Sequence, residues 1–532
     1  MKSLHLLVLG LLSLLSHNAN GDYYTSIASL VDLLDAEMLS ISYFEKYMEA
    51  MEEISRNVND TLKQLENIAQ EAEEDPEDYY ENPINAYKII SRFIIDWQNL
   101  NKTVFDERPA EAFRLNITSL ARDGYSAPTS DDLLGASKAL ARLQRTYRQE
   151  TADVAAGDLM GLHYSENFTT NECYWLGRTL FAAGEYKYAA EWLIQAQVSL
   201  GPEPNVHILE FLAPSMFYLG NTNIAMYLNE ELLAKDPTNN FGLQNKLLYA
   251  EKAQKARHLN SLENSASTSL QRSEADNLFD AVCNGDLQQT PRQKRNLRCR
   301  FVHNNVPFRF IAPFKKEELN HDPPVAQFHE IIYDSEIENI LMVTEDRLER
   351  SKIGKLHNAG YSEGRTSQNS WLYFAKYNFL NAFWQRMEDI TGLLLETAEP
   401  MQVANYGIGG HFSPHCDFKD YDVENDIYKR GNRLLTALTY INDVELGGGT
   451  AFPYLNLTVS PIKHSMLIWY NLHDSLEPDY RTKHGGCPVL VGSKWVLTEW
   501  FHEAHQEFNK PCGLEMDGYK SLKYMDSDCN VH

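Results

Sequence analysis

Residues 405–420 read NYGIGGHFSPHCDFKD and set an imidazole and a carboxylate, His415 and Asp417, two positions apart. In an extended segment, side chains at i and i+2 share a face, so this pair would open on one pocket as two ligands of a metal. An H-x-D pair by itself recurs by chance. Its weight comes from His484, in TKHGGCP, and from Lys494, ten positions further on in VGSKWVLTEWFHE. Two histidines and one carboxylate on one face of an octahedral ion leave three adjacent positions open. That donor set suits a non-haem Fe(II) that must bind a bidentate co-substrate and then O2. Zinc more often takes four protein ligands, or three and a water. Lysine is the cation expected at the end of a pocket for 2-oxoglutarate, whose distal carboxylate needs a positive partner.

The elements that must carry these residues are short strands. Residues 434–441 (LLTALTYI), 447–452 (GGGTAF) and 465–470 (SMLIWY) are strand-like runs punctuated by turns. Such a series predicts a double-sheet jelly roll with the ligands at its mouth. Counting from Lys494, the even positions Val496, Thr498, Trp500 and His502 share one strand face. A cation would then sit at one end of the pocket and an imidazole nearer its rim.

The first half of the chain has helical periodicity. Between residues 26 and 70, Ile27, Leu30, Leu34, Met38, Ile41, Phe44, Met48 and Met51 recur at three- and four-residue steps. This is an amphipathic helix long enough to pair with a second chain, although packing within its own domain leaves the same pattern. Further helices are predicted over 83–100 and 130–147, the latter opening on Ser130 and an acidic first turn. From 165 to 255 a weak repeat appears, with glycine turns at Gly184 and Gly220, 36 residues apart. A period near ~34, with small residues such as Ala190 and Ala225 at the helix crossings, fits tetratricopeptide-like pairs, and Asp236-Pro237 stops the second copy. Repeats of this kind offer a concave surface, and polyproline II peptides favour aromatic-lined grooves. Tyr174, Tyr186, Phe211, Phe217, Tyr218 and Tyr249 are available for one, with the repeat core as the competing place for each. Residues 256–324 read as a linker region, polar at first and carrying the short basic run PRQKRNLRCR, which is either a solvated face or a processing site.

At 532 residues the chain is long enough for three or four domains of ~150 residues. It is 43% hydrophobic and 23% charged, as globular proteins are, and its formal charge of -26 argues against a nucleic-acid partner, which would meet a basic face. Lys2, an apolar run over residues 4–15 and a small-x-small site at Ala19-Asn20-Gly21 predict a secretory signal peptide over 1–21, too short to span a bilayer. No later stretch is long enough either. Secretory entry gives meaning to N-x-[S/T] sequons at Asn59, Asn101, Asn116, Asn167 and Asn456. Seven cysteines (173, 283, 299, 416, 487, 512 and 529) allow at most three internal disulfides, and no C-x2-C pair suggests zinc.

The words QVANYGIGGHFSPHCDF, GNRLLTALTYINDVELGGGTAFP and KHGGCPVLVGSKW, followed by FHEAHQEF and PC, identify residues 325–512 as similar to the catalytic domain of the collagen prolyl 4-hydroxylase α subunit. The N-terminal half resembles the rest of that subunit. The resemblance implies a double-stranded β-helix oxygenase domain over 325–532, a helical dimerisation domain over 22–150 and a tetratricopeptide-like peptide-substrate-binding domain over 165–255. It implies His415, Asp417 and His484 as ligands of Fe(II), and Lys494 as the partner of 2-oxoglutarate. Tyr406 would help as a hydroxyl donor to that co-substrate and His502 in placing or decarboxylating it. Phe211, Tyr218 and Tyr249 are the residues expected to line the peptide groove; Phe211 stands where relatives tend to carry tyrosine, which removes a hydroxyl contact. Cys416 stands where the family often has an aromatic, on the strand face away from the metal. A helix over 373–391 is expected to support the sheet from outside.

By the same resemblance Cys283 pairs with Cys299 and Cys487 with Cys512, leaving Cys173, Cys416 and Cys529 without a partner. The implied activity is hydroxylation of C4 of proline in X-Pro-Gly repeats of procollagen or a collagen-like chain, coupled to oxidative decarboxylation of 2-oxoglutarate by O2, with ascorbate rescuing oxidised iron. Protein disulfide isomerase would be the β subunit of an α2β2 tetramer in the endoplasmic reticulum lumen. Since Val531-His532 offers no KDEL-type signal, retention would come through that partner. A peptide-binding chaperone or assembly subunit with a silent oxygenase domain is the competing reading.

Overall fold

The structure, a computed structural model, describes residues 22–74, 76–259, 273–352, 360–419 and 430–513. The predicted signal peptide and Cys529 lie outside them. Two compact units divide the chain. In the first, within Ser29–Thr129, the predicted amphipathic stretch forms one helix of 46 residues, α1 (Ser29–Glu74). Asn82 caps α2 (Pro83–Ser91) by accepting from the Ile84 amide. This helix runs through a π-turn (Arg92–Asp96) into α3 (Trp97–Val104), so the predicted 83–100 helix is present with one widened turn. Helix α4 (Arg108–Arg122) packs Phe113, Ile117 and Leu120 on Tyr47 of α1. Leu34, Met38 and Ile41 of α1 stay 57%, 62% and 55% exposed.

The second unit joins Asp22–Ala28 to everything from Ser130 onward. Its first helix, α5 (Ser130–Tyr147), has the predicted bounds. The repeat region follows as α6 (Thr170–Ala182), α7 (Tyr186–Leu200), α8 (Val206–Tyr218), α9 (Thr222–Lys235) and α10 (Asn240–Leu259). Gly184 (φ +80°) and Gly220 (φ +85°) make the turns within the two pairs, and Ala190 and Ala225 are buried at the crossings as expected. Helix α5 ties this region to the rest of the unit. Its Gln144 accepts from the Trp192 indole at 2.8 Å, while Arg142 donates to the Gly409 carbonyl at 3.1 Å and Tyr147 to that of Pro488 at 2.5 Å.

Part of the segment read as linker is ordered architecture. Helix α11 (Glu274–Cys283), capped by Ser273, buries Ala275, Phe279 and Val282. Beyond it, β1 (Cys299–Val302) and β2 (Phe314–His321) begin the main sheet before residue 325. That sheet continues with β3 (Pro324–His329), β4 (Glu349–Arg350), β5 (Ser367–Leu372), β6 (Met401–Tyr406), β8 (Arg433–Tyr440), β11 (Met466–Tyr470) and β13 (Trp495–His502). Among the described residues its nine strands are ordered β1-β2-β3-β11-β8-β13-β6-β5-β4. A second sheet holds β7 (Phe412–His415), β9 (Thr450–Phe452), β10 (Leu457–Val459) and β12 (His484–Gly486), in the order β10-β9-β12-β7.

Alternation along the strands splits the core. Met401, Val403, Leu435, Ala437, Leu497 and Phe501 pack outward with α12 (Asp334–Thr344) and α13 (Asn381–Thr391). Ala404, Tyr406, Tyr440, Val496 and Trp469 point toward the second sheet, with Phe452 and Val459. The supporting helix is shorter than the predicted 373–391. Two 3-10 turns precede it, and Tyr377 between them (φ -126°, ψ 76°) lies outside helical space. Among the described residues no helix is long and apolar enough to cross a membrane.

The disulfide expectations are corrected. Cys283 is bonded to Cys487, not Cys299, with Cα atoms 5.7 Å apart, while Cys299 and Cys512 are exposed free thiols. The cause is α11, which lies on the second sheet with its C-terminal cysteine over the end of β12. Cys416 is disulfide-bonded as well, and Cys173 is free and buried.

Candidate active site

In the second sheet β7 and β12 run antiparallel with His415 directly opposite His484, and Asp417 follows two residues after β7. Cross-strand partners stand close, so the two rings meet with centroids 4.5 Å apart. Asp417 Oδ1 lies 3.7 Å from His415 Nε2 and Oδ2 lies 3.6 Å from His484 Nε2. All three ligand atoms fall within 4.8 Å of one another. Ligands at right angles on one ion stand about 3 Å apart, so a small inward movement closes the set on a metal.

The tautomers suit that use. His415 Nδ1 donates to the Ser413 carbonyl at 2.9 Å and His484 Nδ1 to that of Thr482 at 3.0 Å, which leaves both Nε2 lone pairs facing Asp417. Burial, then the neighbouring His484, lowers the His415 pKa and keeps the ring neutral. Burial opposes ionisation of Asp417, but the charge that His484 or His415 carries whenever it is protonated, together with Arg433, outweighs it and holds the carboxyl below its ordinary range. Thr436 on β8 donates to Asp417 Oδ2 at 2.7 Å and itself accepts from Asn471 at 2.9 Å, fixing the carboxylate's rotation. Phe412 stacks on His415 at 3.7 Å, and Trp469 meets His484 edge-on at 4.5 Å.

Lys494 lies in the same cavity, just before β13, with Tyr406, Val496, Thr498 and Trp500 along the adjoining wall. It is 1% exposed, and no salt bridge to it exists among the described residues. Its ammonium rests over the rings of Tyr406 (4.9 Å) and Tyr440 (5.9 Å). Burial without a compensating charge pulls its pKa down to about 7. A cation so placed is matched by an anionic ligand.

The remaining expected site residues are distributed differently. His502 is eight residues from Lys494 at the far end of β13, outside the cavity lining. Both its nitrogens are engaged, Nδ1 with the Gly431 carbonyl (2.7 Å) and Nε2 with Glu399 (3.0 Å). In the repeat region Tyr218 is half exposed and stacks on Tyr186 at 4.3 Å, with Phe181 and Phe211 beside it. Tyr249 is 1% exposed and stacks on Phe217 at 4.5 Å, so it belongs to the packing between α8 and α10 rather than to a surface a peptide could touch. Sequence reasoning gave no role to Arg365, Thr436 or Arg433. Arg365 lies over the Phe412 ring at 4.6 Å and donates to Gln402 at 2.7 Å. Arg433 covers the Trp500 ring at 3.9 Å and is clamped by Glu399 through bonds of 2.6 and 2.8 Å. Thr436 was detectable as a polar residue at an inward position of the apolar run LLTALTYI; the two arginines left no such mark.

A paired-sheet fold holding two imidazoles, one carboxylate and a buried lysine defines an Fe(II)- and 2-oxoglutarate-dependent oxygenase, and residues 401–502 match the profile of the 2OG-Fe(II) oxygenase superfamily. Residues 26–161 match "Prolyl 4-Hydroxylase alpha-subunit, N-terminal region" and residues 170–255 match "Prolyl 4-hydroxylase peptide-substrate-binding domain". The chain is 34% identical to prolyl 4-hydroxylase subunit alpha-2 of Gallus gallus, over 93% of this chain and 96% of that one. It is 33% identical to subunit alpha-1 of Homo sapiens, over 96% and 99%. A solved viral collagen prolyl hydroxylase from Paramecium Bursaria Chlorella virus-1, in complex with 2OG, is 20% identical and covers 33% of this chain and 94% of its own, with a TM-score of 0.27. The chain belongs to the prolyl 4-hydroxylase α-subunit family, and it is an Fe(II)- and 2-oxoglutarate-dependent proline hydroxylase.

Proposed function

We propose that this protein hydroxylates C4 of proline in X-Pro-Gly segments of collagen-like chains, consuming O2 and 2-oxoglutarate and releasing succinate and CO2. One oxygen atom enters the new hydroxyl and the other enters succinate. The carrying observation is the shared cavity: the facing Nε2 lone pairs of His415 and His484, Asp417 between them, and a buried, unneutralised Lys494 along the wall. Bound Fe(II) supplies O2 activation coupled to decarboxylation. His415, Asp417 and His484 hold it, Thr436 keeps the carboxylate turned inward, and Lys494 takes the distal carboxylate of 2-oxoglutarate, with Tyr406 beside it. Phe412, Trp469 and Trp500 keep water from the reacting region. Ascorbate, typical of the family, would be the reductant that keeps the metal ferrous.

Phe211 and Tyr218, with Tyr186, form the aromatic surface we assign to the peptide. Exposed Tyr218 stacks on the partly buried Tyr186, and partly buried Phe211 meets Phe181 edge-on beside them; an aromatic surface of this kind is what a polyproline II segment recognises. For partners, the reading is pairing of two α subunits through the exposed stripe of α1 and assembly with protein disulfide isomerase into α2β2 in the endoplasmic reticulum lumen. The signal peptide, the sequons and the family support that compartment. The test incubates purified protein with Fe(II), 2-oxoglutarate and a (Pro-Pro-Gly)n peptide and measures succinate and peptide mass. The expected outcome is one succinate per 16 Da gained. Peptide binding with neither product would establish the chaperone reading instead.

A further inference from the structure

The segment Asp22–Ala28 is separated by more than 300 residues of sequence from the oxygenase strands it touches, β4, β5 and β6, yet it is built into them. Thr25 and Ser26 are fully buried. Backbone bonds run both ways at the end of β6: the Ile27 amide donates to the Tyr406 carbonyl at 3.3 Å, and the Ile408 amide donates to the Tyr24 carbonyl at 3.0 Å. Gln368 of β5 donates to Thr25 Oγ1 at 3.0 Å and to the Asp22 carbonyl at 3.1 Å. A Cβ on Gly407 would lie 2.0 Å from the Tyr24 carbonyl oxygen, so residue 407 must be glycine for the segment to seat. On its other side the Tyr24 ring covers Gly135 of α5, and Arg350 donates to its hydroxyl at 2.5 Å.

One link reaches the co-substrate lysine. Ser26 Oγ donates to Asn405 Oδ1 at 2.7 Å, and the Ala28 amide reaches the same oxygen at 3.3 Å. The Asn405 amide nitrogen, on a fully buried side chain, donates in turn to Ser493 Oγ at 3.1 Å and to the Lys494 carbonyl at 3.3 Å. The next residue, Tyr406, donates its own N–H to that Lys494 carbonyl at 3.1 Å. Asn405 is thus the junction between the N-terminal segment and the backbone of the two residues, Tyr406 and Lys494, that line the cavity.

We propose that Asp22–Ala28 is a positioning strap of the 2-oxoglutarate pocket, with Ser26 acting through Asn405 to set Lys494 and Tyr406. This rests on the assignment of Lys494 to 2-oxoglutarate. Because coupling between sites is reciprocal, 2-oxoglutarate binding must tighten the strap as the strap tightens binding. The test measures 2-oxoglutarate, metal and (Pro-Pro-Gly)n peptide affinity anaerobically, by titration calorimetry, and measures amide exchange at residues 22–28 and 405–408 in the full chain. Ser26→Ala is expected to weaken 2-oxoglutarate about threefold to tenfold, as loss of one buried hydrogen bond at the junction does. Metal and peptide affinity should be unchanged, and Ser26→Thr should restore binding. The double variant Ser26→Ala/Asn405→Ala should match Asn405→Ala alone. In the unsubstituted protein, adding 2-oxoglutarate should slow exchange at the Ile27, Tyr406 and Ile408 amides. Unchanged exchange on saturation, or parallel losses of metal, peptide and 2-oxoglutarate affinity in Ser26→Ala, overturns the strap. If instead Lys494→Ala keeps 2-oxoglutarate affinity, the lysine assignment is what fails.

Discussion

At the scale of single residues, protonation decides what the cavity can do. His415 and His484 are held as the tautomer that presents Nε2 because backbone carbonyls take both Nδ1 protons. Thr436→Val deletes the bond to Asp417 Oδ2 and should weaken Fe(II) binding about 10- to 100-fold at nearly constant thermal midpoint, measured by competition with a chelator. Lys494 titrates at about 7 in the free protein, and a bound carboxylate raises that value. Binding therefore takes up a proton above pH 7, and the dissociation constant of 2-oxoglutarate should climb about tenfold per pH unit from 7 to 9 in calorimetric titrations. Lys494→Arg, charged throughout, should flatten the slope. For stability the sign is the reverse of an ion pair's: the unfolded lysine stays protonated to about pH 10.4. This group's destabilisation of the empty protein therefore fades as pH rises from 7 toward that value.

At the scale of elements, α11 shows how composition misleads. Its surroundings are rich in Ser, Asn, Gln and Asp and read as a linker, yet Ala275, Phe279 and Val282, at i, i+4 and i+7, were a legible helical stripe. That stripe lies on the sheet carrying His484, where a Cβ on Gly485 would come within 2.8 Å of the Phe279 ring. Phe279→Ala should cost about 3–5 kcal/mol in denaturant unfolding and loosen metal binding through β12. Replacing both Cys283 and Cys487 by serine should cost about 2–5 kcal/mol. Pairing inferred from a family resemblance failed here because which sulfurs meet depends on where α11 packs. The strands were legible for the opposite reason: LLTALTYI and SMLIWY are bounded by turn residues, and period-2 alternation assigns their faces without tertiary information.

At the scale of the molecule, the exposed apolar stripe of α1 should have a protein partner. Leu34, Met38 and Ile41, each more than half exposed, lie along one stretch of a helix whose Tyr47 is already packed. Exposed apolar area of that extent marks an interaction surface. Leu34→Glu/Met38→Glu/Ile41→Glu should halve the mass of the assembly in light scattering while leaving succinate release on short peptides intact. An unchanged mass would reject α1 as the pairing surface. Deleting residues 22–150 is a poorer probe, because it also removes the buried Asp22–Ala28 and α5, whose Tyr147 and Arg142 bond to the oxygenase backbone.

The sequence by itself picked out the candidate donor set, His415, Asp417 and His484, the alternation that turns Lys494, Val496, Thr498 and Trp500 to one face, and the helix pairs with their glycine turns, because each depends on spacing along a few residues. Only the tertiary structure decided which cysteines meet, that Tyr249 is core while Tyr218 is surface, that His502 bonds to Glu399, and that Ser26 touches Asn405 across 379 positions. Those outcomes depend on how distant elements pack, and no local period along the chain encodes that.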